Sequence, residues 1–319
     1  MATKQNETGK AFEFACLKEI AGKATSLGIH VTIIEDATYH QGKSNYSQLP
    51  PESQSNYTQG ARAALQFIFD CEPYLYDKVL ATDLELSMQP DGRGQQGDVR
   101  DLLFLRWESS KQKKRWECGI SCKHNHAAVK HQRVGFSPDS DFIRNWCPSF
   151  TCSKGWRDVA DHFFKITSQK KPWNDLFTSR LDELYRPVID AVYAELMEHK
   201  ENAVFVEELF SFLLGTIDFY KVMAFERERL TQVSVFNFNG TLNRKTAKLK
   251  AIRQLKKTPV PKRILAIAKV DSILTIHFDF GWSVRMRIHT AESISTPSLK
   301  FDSQLQGIPV ELLNLTFPW

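Results

Sequence analysis

The sequence has 319 residues, of which 42% are hydrophobic and 25% are charged, and its formal net charge is +5. This is the balance of a globular chain long enough to bury a core of its own, and the small basic surplus is compatible with an anionic partner. No apolar run approaches the ~20 residues needed to cross a bilayer, so we exclude a membrane-spanning protein and expect a cytoplasmic one.

The first predicted element is an amphipathic helix over residues 9–22. Phe12, Cys16 and Ile20 recur there at intervals of four, which places them on one helix face. Glu13 lies beside that apolar face. The other cysteines are scattered without a Cys-x-x-Cys pair, which is poor spacing for a zinc site or a disulfide framework, so we expect reduced thiols.

The next stretch is polar and then turns apolar. Residues 36–60 are rich in Ser, Gln, Asn and Tyr and predict a surface loop, followed by a helix over 61–70. From Leu84 apolar and polar residues alternate, which predicts a strand. The runs 101–105 and 116–121 are apolar on both faces and favour central strands of a covered sheet.

The second half of the chain is predicted to be helical and then rich in strands. Residues 176–199 and 203–225 have helical patterns, with Pro187 expected to kink or divide the first of them. Alternating runs at 264–268, 273–278 and 284–288 predict a curved meander.

Residues 239–270 contain ten Lys and Arg residues and no acidic residue; we call them the basic segment. A run of like charge is usually a solvated face. The length and purity of this run favour a phosphate-facing surface instead, with Lys256 and Lys257 as representative contacts.

The stretch that carries chemistry combines an acid at the start of one predicted strand with a lysine at the end of the next. The acid is Asp101 or Asp98, and the lysine is Lys123. A carboxylate can hold Mg²⁺ beside a phosphate while a lysine positions or deprotonates the attacking water, so this layout suits metal-assisted phosphodiester hydrolysis. The alternative is that the acids only form a turn and that Lys123 only ends a strand.

A dense polar run follows Lys123, with side chains suited to phosphate and base-edge contacts. Arg133 could bind guanine in a bidentate manner and Asn125 could bind adenine, but the sequence does not assign bases to residues. The candidate DNA contacts are His124, Asn125, His126, Lys130, His131 and Arg133.

Three motifs together resemble the HaeIII restriction endonuclease family. They are Gly-Asp-Val-Arg-Asp at 97–101, Ser-x-Lys-His-Asn-His-x-Ala-Val-Lys-His-x-Arg at 121–133, and Gly-Lys-Ala-Phe-Glu-Phe at 9–14. The resemblance covers about the first 135 residues. It implies the PD-(D/E)xK nuclease superfold, Mg²⁺ as the cofactor and cleavage of double-stranded DNA within GGCC.

The resemblance also implies roles for individual residues. Asp101 would be the metal-binding aspartate, with Asp98 as the alternative, and Lys123 would be the motif lysine. Ser121 stands where the superfold usually has an acid, so another acid should enter the site. Glu117 lies roughly 13 Å along the strand from Ser121, at about 3.3 Å per residue, and we therefore favour Glu13.

The sequence thus predicts an α/β protein with a PD-(D/E)xK-like mixed sheet flanked by helices, a helical middle and a β-rich basic C-terminal part. Residues 1–170 would form the nuclease core and residues 171–319 a DNA-clamping region. A monomer and a homodimer are both compatible with the sequence. Two rival functions remain: a DNA-binding module without catalysis, and a nonspecific HNH-like nuclease suggested by His124, Asn125 and His126.

Overall fold

The computed structural model describes residues 2–80, 82–90, 98–108, 113–125 and 128–319, with side chains from residue 7 onward. The chain divides into two compact units that interleave along the sequence. The first comprises Met1–His126, Thr216–Thr258 and Glu311–Trp319, and the second comprises Ala127–Gly215 and Pro259–Val310. The division at residue 170 into a nuclease core and a clamping region concerns function, and it stays a prediction.

The first unit contains a seven-stranded mixed sheet and three long helices. Its elements are α1 (Ala2–Ser26), β1 (Val31–Ile33), α2 (Ala37–Ser47), α3 (Pro51–Cys71), β2 (Leu84–Met88), β3 (Leu102–Trp107), β4 (Lys114–His124), β6 (Phe219–Phe225), β7 (Leu230–Phe236) and β12 (Asn314–Pro318). The strand order is β1-β2-β3-β4-β6-β7-β12. The pairs β1–β2 and β4–β6 are parallel, and the other neighbours are antiparallel. The prediction of an α/β fold with a mixed sheet and flanking helices is confirmed.

The helix α1 packs its apolar face against the sheet, and Phe12, Cys16 and Ile20 are all buried there, as their spacing predicts. The strands β3 and β4 lie at the centre of the sheet, in agreement with their largely apolar sequences. They carry the predicted acid and lysine.

The predicted surface loop at 36–60 is wrong, because this region forms α2 and the first half of α3. Asp36 caps α2 by accepting a hydrogen bond from the Tyr39 backbone N–H, and Pro51 occupies the first turn of α3. The helix α2 approaches the sheet closely at Gly42, where a Cβ would lie 2.6 Å from the Met88 Cε.

The second unit contains a five-stranded antiparallel sheet of order β5-β11-β10-β9-β8 and shorter helices. Its elements are β5 (Lys130–Gly135), α4 (Phe142–Trp146), α5 (Lys154–Thr167), α6 (Trp173–Leu176), α7 (Arg186–His199), α8 (Ala203–Leu214), β8 (Ile264–Val270), β9 (Ile273–Phe278), β10 (Ser283–His289) and β11 (Ser298–Gly307). The predicted meander is confirmed. One face of this sheet is buried and apolar, and the other is polar and solvent-accessible.

Two helical predictions in the middle of the chain have different outcomes. Pro187 lies in the first turn of α7, and the helix changes from π to α geometry directly before it, after the π-helical turn at Leu181–Tyr185. The predicted helix at 203–225 is half wrong: α8 ends at Leu214, Gly215 follows with a φ of 92°, and residues 219–225 form the buried strand β6.

All six cysteines are free and buried, as expected for reduced structural thiols. In the described part of the chain, no helix has the length and apolar character needed to span a bilayer.

Candidate active site

Asp101 is held at the start of β3 by both its backbone and its side chain. Its backbone N–H donates to the Ile120 carbonyl at 2.8 Å. Its Oδ2 accepts hydrogen bonds from the Cys122 backbone N–H at 2.7 Å, the Ser121 hydroxyl at 3.2 Å and the Lys123 ammonium at 3.2 Å. Among the described residues, Oδ1 has no hydrogen-bond donor, so one carboxylate oxygen remains available to a ligand.

Glu13 reaches the same region from α1. Its Oε2 accepts a hydrogen bond from Lys10 at 2.9 Å, and Lys10 also donates to the Gln89 carbonyl at 3.2 Å. Gln89 in turn donates its backbone N–H to the Asp101 carbonyl at 2.8 Å. Burial and then the charge of Asp101 raise the pKa of Glu13 to about 8, against the opposing effect of Lys10 and Lys123.

Two lysines lie on the strands beside these acids. Burial alone would lower the pKa of Lys123, but the charges of Asp101 and Glu13 raise it above its ordinary value. Lys221 is the register partner of Ser121 on the parallel strand β6, and it is almost fully buried. Burial and then the charge of Lys123 lower the pKa of Lys221 to about 7.

Sequence reasoning missed Lys10 and Lys221. Lys221 lies in the stretch that was predicted to be a helix, and its face could be assigned only after β6 was recognised as a strand. A lysine within an otherwise apolar run was the signal that could have found it, because buried lysines need a partner or a function.

Asp98 and Glu117 belong to a separate cluster around Arg100. Both carboxylate oxygens of Asp98 accept hydrogen bonds from the Arg100 guanidinium, at 2.7 and 2.8 Å. Glu117 lies 2.6 Å from Arg100 and also pairs with Lys114. Gly119 makes room for this arginine, since a Cβ there would lie 2.4 Å from the Arg100 Cδ. Both acids therefore have a cationic partner in Arg100.

The polar run after Lys123 is not a single loop. His124 ends β4 and is buried between Phe12 and Tyr57; its Nδ1 is 3.2 Å from the Tyr57 hydroxyl. Asn125, with a φ of 52°, accepts a hydrogen bond from the Glu226 backbone N–H at 2.9 Å. His126 lies outside the described residues.

The rest of that run forms β5 in the second unit, where its side chains alternate between the two faces. Lys130 points inward, with its ammonium 3.5 Å from the centre of the Phe212 ring, and burial lowers its pKa to about 8. His131 and Arg133 are exposed on the other face. Strand alternation thus separates three residues that the sequence grouped as DNA contacts.

The basic segment is exposed at each of its ten cationic residues. In the first unit it runs as irregular chain from Asn239 to Thr258 and includes Lys256 and Lys257. For these two lysines the structure shows no acidic partner among the residues it describes.

The donor set at Asp101 and Glu13 fits Mg²⁺, although the described residues contain no group of three or more His, Cys, Asp and Glu side chains arranged for a metal. Mg²⁺ is usually held by one or two carboxylates, with water and substrate phosphate completing its shell. Two neighbouring carboxylates, one of them buried with a raised pKa, would be stabilised by a cation between them.

A mixed α/β sheet that joins a carboxylate to a lysine across its central strands is an arrangement suited to a hydrolytic nuclease. The sequence profile of the HaeIII restriction endonuclease family matches residues 9–309. The type II restriction enzyme HaeIII of Haemophilus aegyptius is 33% identical over 327 residues, covering 100% of this chain and 99% of the relative. No solved structure matches the chain.

The chain therefore belongs to the HaeIII restriction endonuclease family, a family of type II site-specific deoxyribonucleases. The resemblance found in the first 135 residues is confirmed. It also extends through the C-terminal half, which the sequence motifs alone did not reach.

Proposed function

We propose that this protein is a magnesium-dependent type II restriction endonuclease with the PD-(D/E)xK superfold, which hydrolyses phosphodiester bonds in double-stranded DNA. The observation that carries the proposal is the contact between Asp101 and Lys123 at the ends of neighbouring central strands, with Glu13 adjoining them.

In this proposal Asp101 and Glu13 would hold the Mg²⁺ ion, which when bound polarises the phosphate and lowers the pKa of water. Lys123 orients the attacking water or the phosphate, since its ammonium is fixed by the same Asp101 oxygen that Cys122 binds. The pKa of Lys221 is lowered to about 7 by burial and by the charge of Lys123, so an anionic phosphate bound beside these two lysines would favour the protonated form of Lys221.

We further propose the recognition site GGCC, because a relative of 33% identity is the HaeIII enzyme and the resemblance implies that site.

Incubating a sequenced plasmid with the protein and Mg²⁺ should give discrete fragments, and EDTA should prevent them. Fragment ends that lack GG and CC halves would reject the site. Diffuse nicking would favour the nonspecific HNH-like nuclease, and a mobility shift without cleavage would favour the DNA-binding module.

Replacing the central acid or lysine tests the active-site assignment. Asp101→Asn and Lys123→Met should each lower the plasmid cleavage rate by about 100-fold or more, because each removes a group that acts on the reacting phosphate or water. Binding to a GGCC duplex should be largely retained, since other residues supply most base and phosphate contacts.

The matched comparison is Asp98→Asn, which removes an acid that is bound to Arg100 instead. Circular dichroism should show that all three variants are folded. An inactive Asp98→Asn beside an active Asp101→Asn would transfer the metal-ligand role to Asp98.

The oligomeric state is a separate part of the proposal. A palindromic site can be cut by a homodimer with one active site on each strand, or by one chain acting on each strand in turn. Sedimentation velocity of the protein with a single-site duplex in EDTA distinguishes one bound chain from two.

A further inference from the structure

The polar face of the five-stranded sheet in the second unit is strongly basic. Residues that alternate outward on β5, β10 and β11 include four arginine and lysine side chains, Arg133, Arg285, Arg287 and Lys300. We call these four residues the basic sheet face. The opposite face is buried and apolar, as residues such as Val284, Met286 and Ile288 show.

The strand register places these cations side by side. Arg133 pairs with Lys300 across β5 and β11, and Lys300 pairs with His289 across β11 and β10. One step along, Arg287, Asp302 and His131 form the next row across the same strands. Neighbouring strands lie about 4.8 Å apart, so the cations form a contiguous patch.

The one carboxylate in these rows is Asp302, and three side chains of the sheet already contact it. His131 Nδ1 lies 2.6 Å from one of its oxygens, and His289 and Arg287 lie 3.1 and 3.4 Å from the other. Burial alone would raise the pKa of Asp302, but the hydrogen bond with His131 and the close approach of His289 hold it well below its usual range. Asp302 therefore orients its neighbours and leaves a surplus of positive charge.

The remaining cations are available to a partner. In the part of the chain that the structure describes, neither Arg285 nor Lys300 has an ion-pair or side-chain hydrogen-bond partner, and Arg133 bonds only to the Ser298 hydroxyl. A solvated face normally intersperses both signs of charge. Here four arginine and lysine side chains accompany a single carboxylate.

We propose that the basic sheet face binds duplex DNA. The proposal rests on the proposed function and names a second contact surface for its substrate, apart from Asp101 and Lys123. Arginine and lysine pair with phosphate oxygens and, in the major groove, with guanine O6 and N7. Duplex DNA is chosen because these cations complement the charge of its phosphate backbone. The exposed apolar side chains of the sheet, Leu265 and Val270, lie on the edge strand β8 and are separated from the cations by β9.

The test compares two double variants of the full-length protein. Arg285→Ala with Lys300→Ala removes two unpartnered cations, so the fold should be unaffected. The control, Lys154→Ala with Lys171→Ala, removes two exposed lysines of the same unit that lie outside the sheet. Fluorescence anisotropy in EDTA measures binding to a GGCC duplex, a scrambled duplex and a double-stranded RNA.

We expect the sheet variant to bind the GGCC duplex at least about tenfold more weakly at ~0.1 M salt. The slope of log K against log salt should become less negative by the amount expected for about two phosphate contacts. The control should bind like the wild type. An equal loss on both DNA duplexes supports phosphate contacts, and a larger loss on GGCC supports base contacts. Unchanged DNA binding, or a loss confined to RNA, overturns the proposal. A wild type that binds DNA but never cuts it refutes the proposed function without affecting this surface.

Discussion

Glu13 and Asp101 illustrate how two acids can be brought together from distant parts of a chain. Glu13 lies on a helix and Asp101 at a strand, and the repulsion between them contributes to the raised pKa of Glu13. Ser121 supplies only a hydroxyl, which donates to an oxygen of Asp101 that has two other donors. In the proposed active site, Glu13 therefore takes the place of the acid that the PD-(D/E)xK superfold usually has at the position of Ser121.

We predict that Glu13→Gln abolishes cleavage and weakens Mg²⁺ binding while the fold is kept. Glutamine retains an acceptor for Lys10 but is a poor ligand for a hard cation. Plasmid cleavage and calorimetric titration with Mg²⁺ measure the two effects.

The companion variant Ser121→Ala should retain cleavage within about tenfold of the wild type, because it removes one hydrogen bond worth ~1 kcal/mol. An inactive Ser121→Ala together with an active Glu13→Gln would reverse the assignment.

At the scale of elements, the buried central strands and the strands with one exposed face were predictable from the sequence, but two other kinds of segment were not. The helix α2 buries Tyr39, Gly42 and Tyr46, which a search for apolar periodicity does not count. The strand β6 is buried on both faces, so its sequence lacks the alternation that would separate it from a helix. Glu13 could be named as a candidate site residue because its helix has a clear apolar face in the sequence. Lys221 could not be placed near the site until residues 219–225 were known to form a strand.

The junction of α3 with β6 contains a buried acid outside the candidate active site. Glu72 Oε1 accepts hydrogen bonds from the Tyr220 hydroxyl at 2.6 Å and the Asn243 backbone N–H at 2.8 Å. No hydrogen bond to Oε2 is found among the described residues. Burial raises the pKa of Glu72 to about 7, although these hydrogen bonds oppose the rise.

We predict that Glu72 makes the protein less stable as the pH rises from about 4.5 to about 7, a window in which the raised pKa of Glu13 acts in the same direction. The folded state binds more protons than the unfolded state in this window, so the free energy of unfolding falls by at most ~1.4 kcal/mol per pH unit from this group. Glu72→Gln should flatten the dependence. Urea unfolding from pH 4.5 to 8 measures it, and an unchanged slope in the variant would contradict the prediction.

At the scale of the whole molecule, residues 239–258 of the basic segment add a further set of exposed cations to the first unit. Lys256→Ala with Lys257→Ala should make DNA binding less dependent on salt, because each phosphate contact contributes about −0.9 to the slope of log K against log salt. Anisotropy titrations at salt concentrations from about 50 to about 200 mM measure this slope, because counterion release changes the affinity strongly over that range.

The control for charge alone is Lys18→Ala with Lys78→Ala, which removes two exposed lysines of the same unit outside the basic segment. If both double variants flatten the slope equally, net charge is responsible. If neither does, the basic segment is a solvated face.

The interleaving of the two units also fixes when the candidate active site can form during synthesis. Asp101 and Lys123 emerge from the ribosome early, but their sheet needs β6 and β7 from after residue 215 and β12 from residues 314–318. At ~5–20 residues per second, the chain after β4 takes roughly 10–40 s to complete. A nascent or truncated chain without β12 therefore lacks part of the sheet that supports the site, so a host would meet an active nuclease only after β12 has left the ribosome.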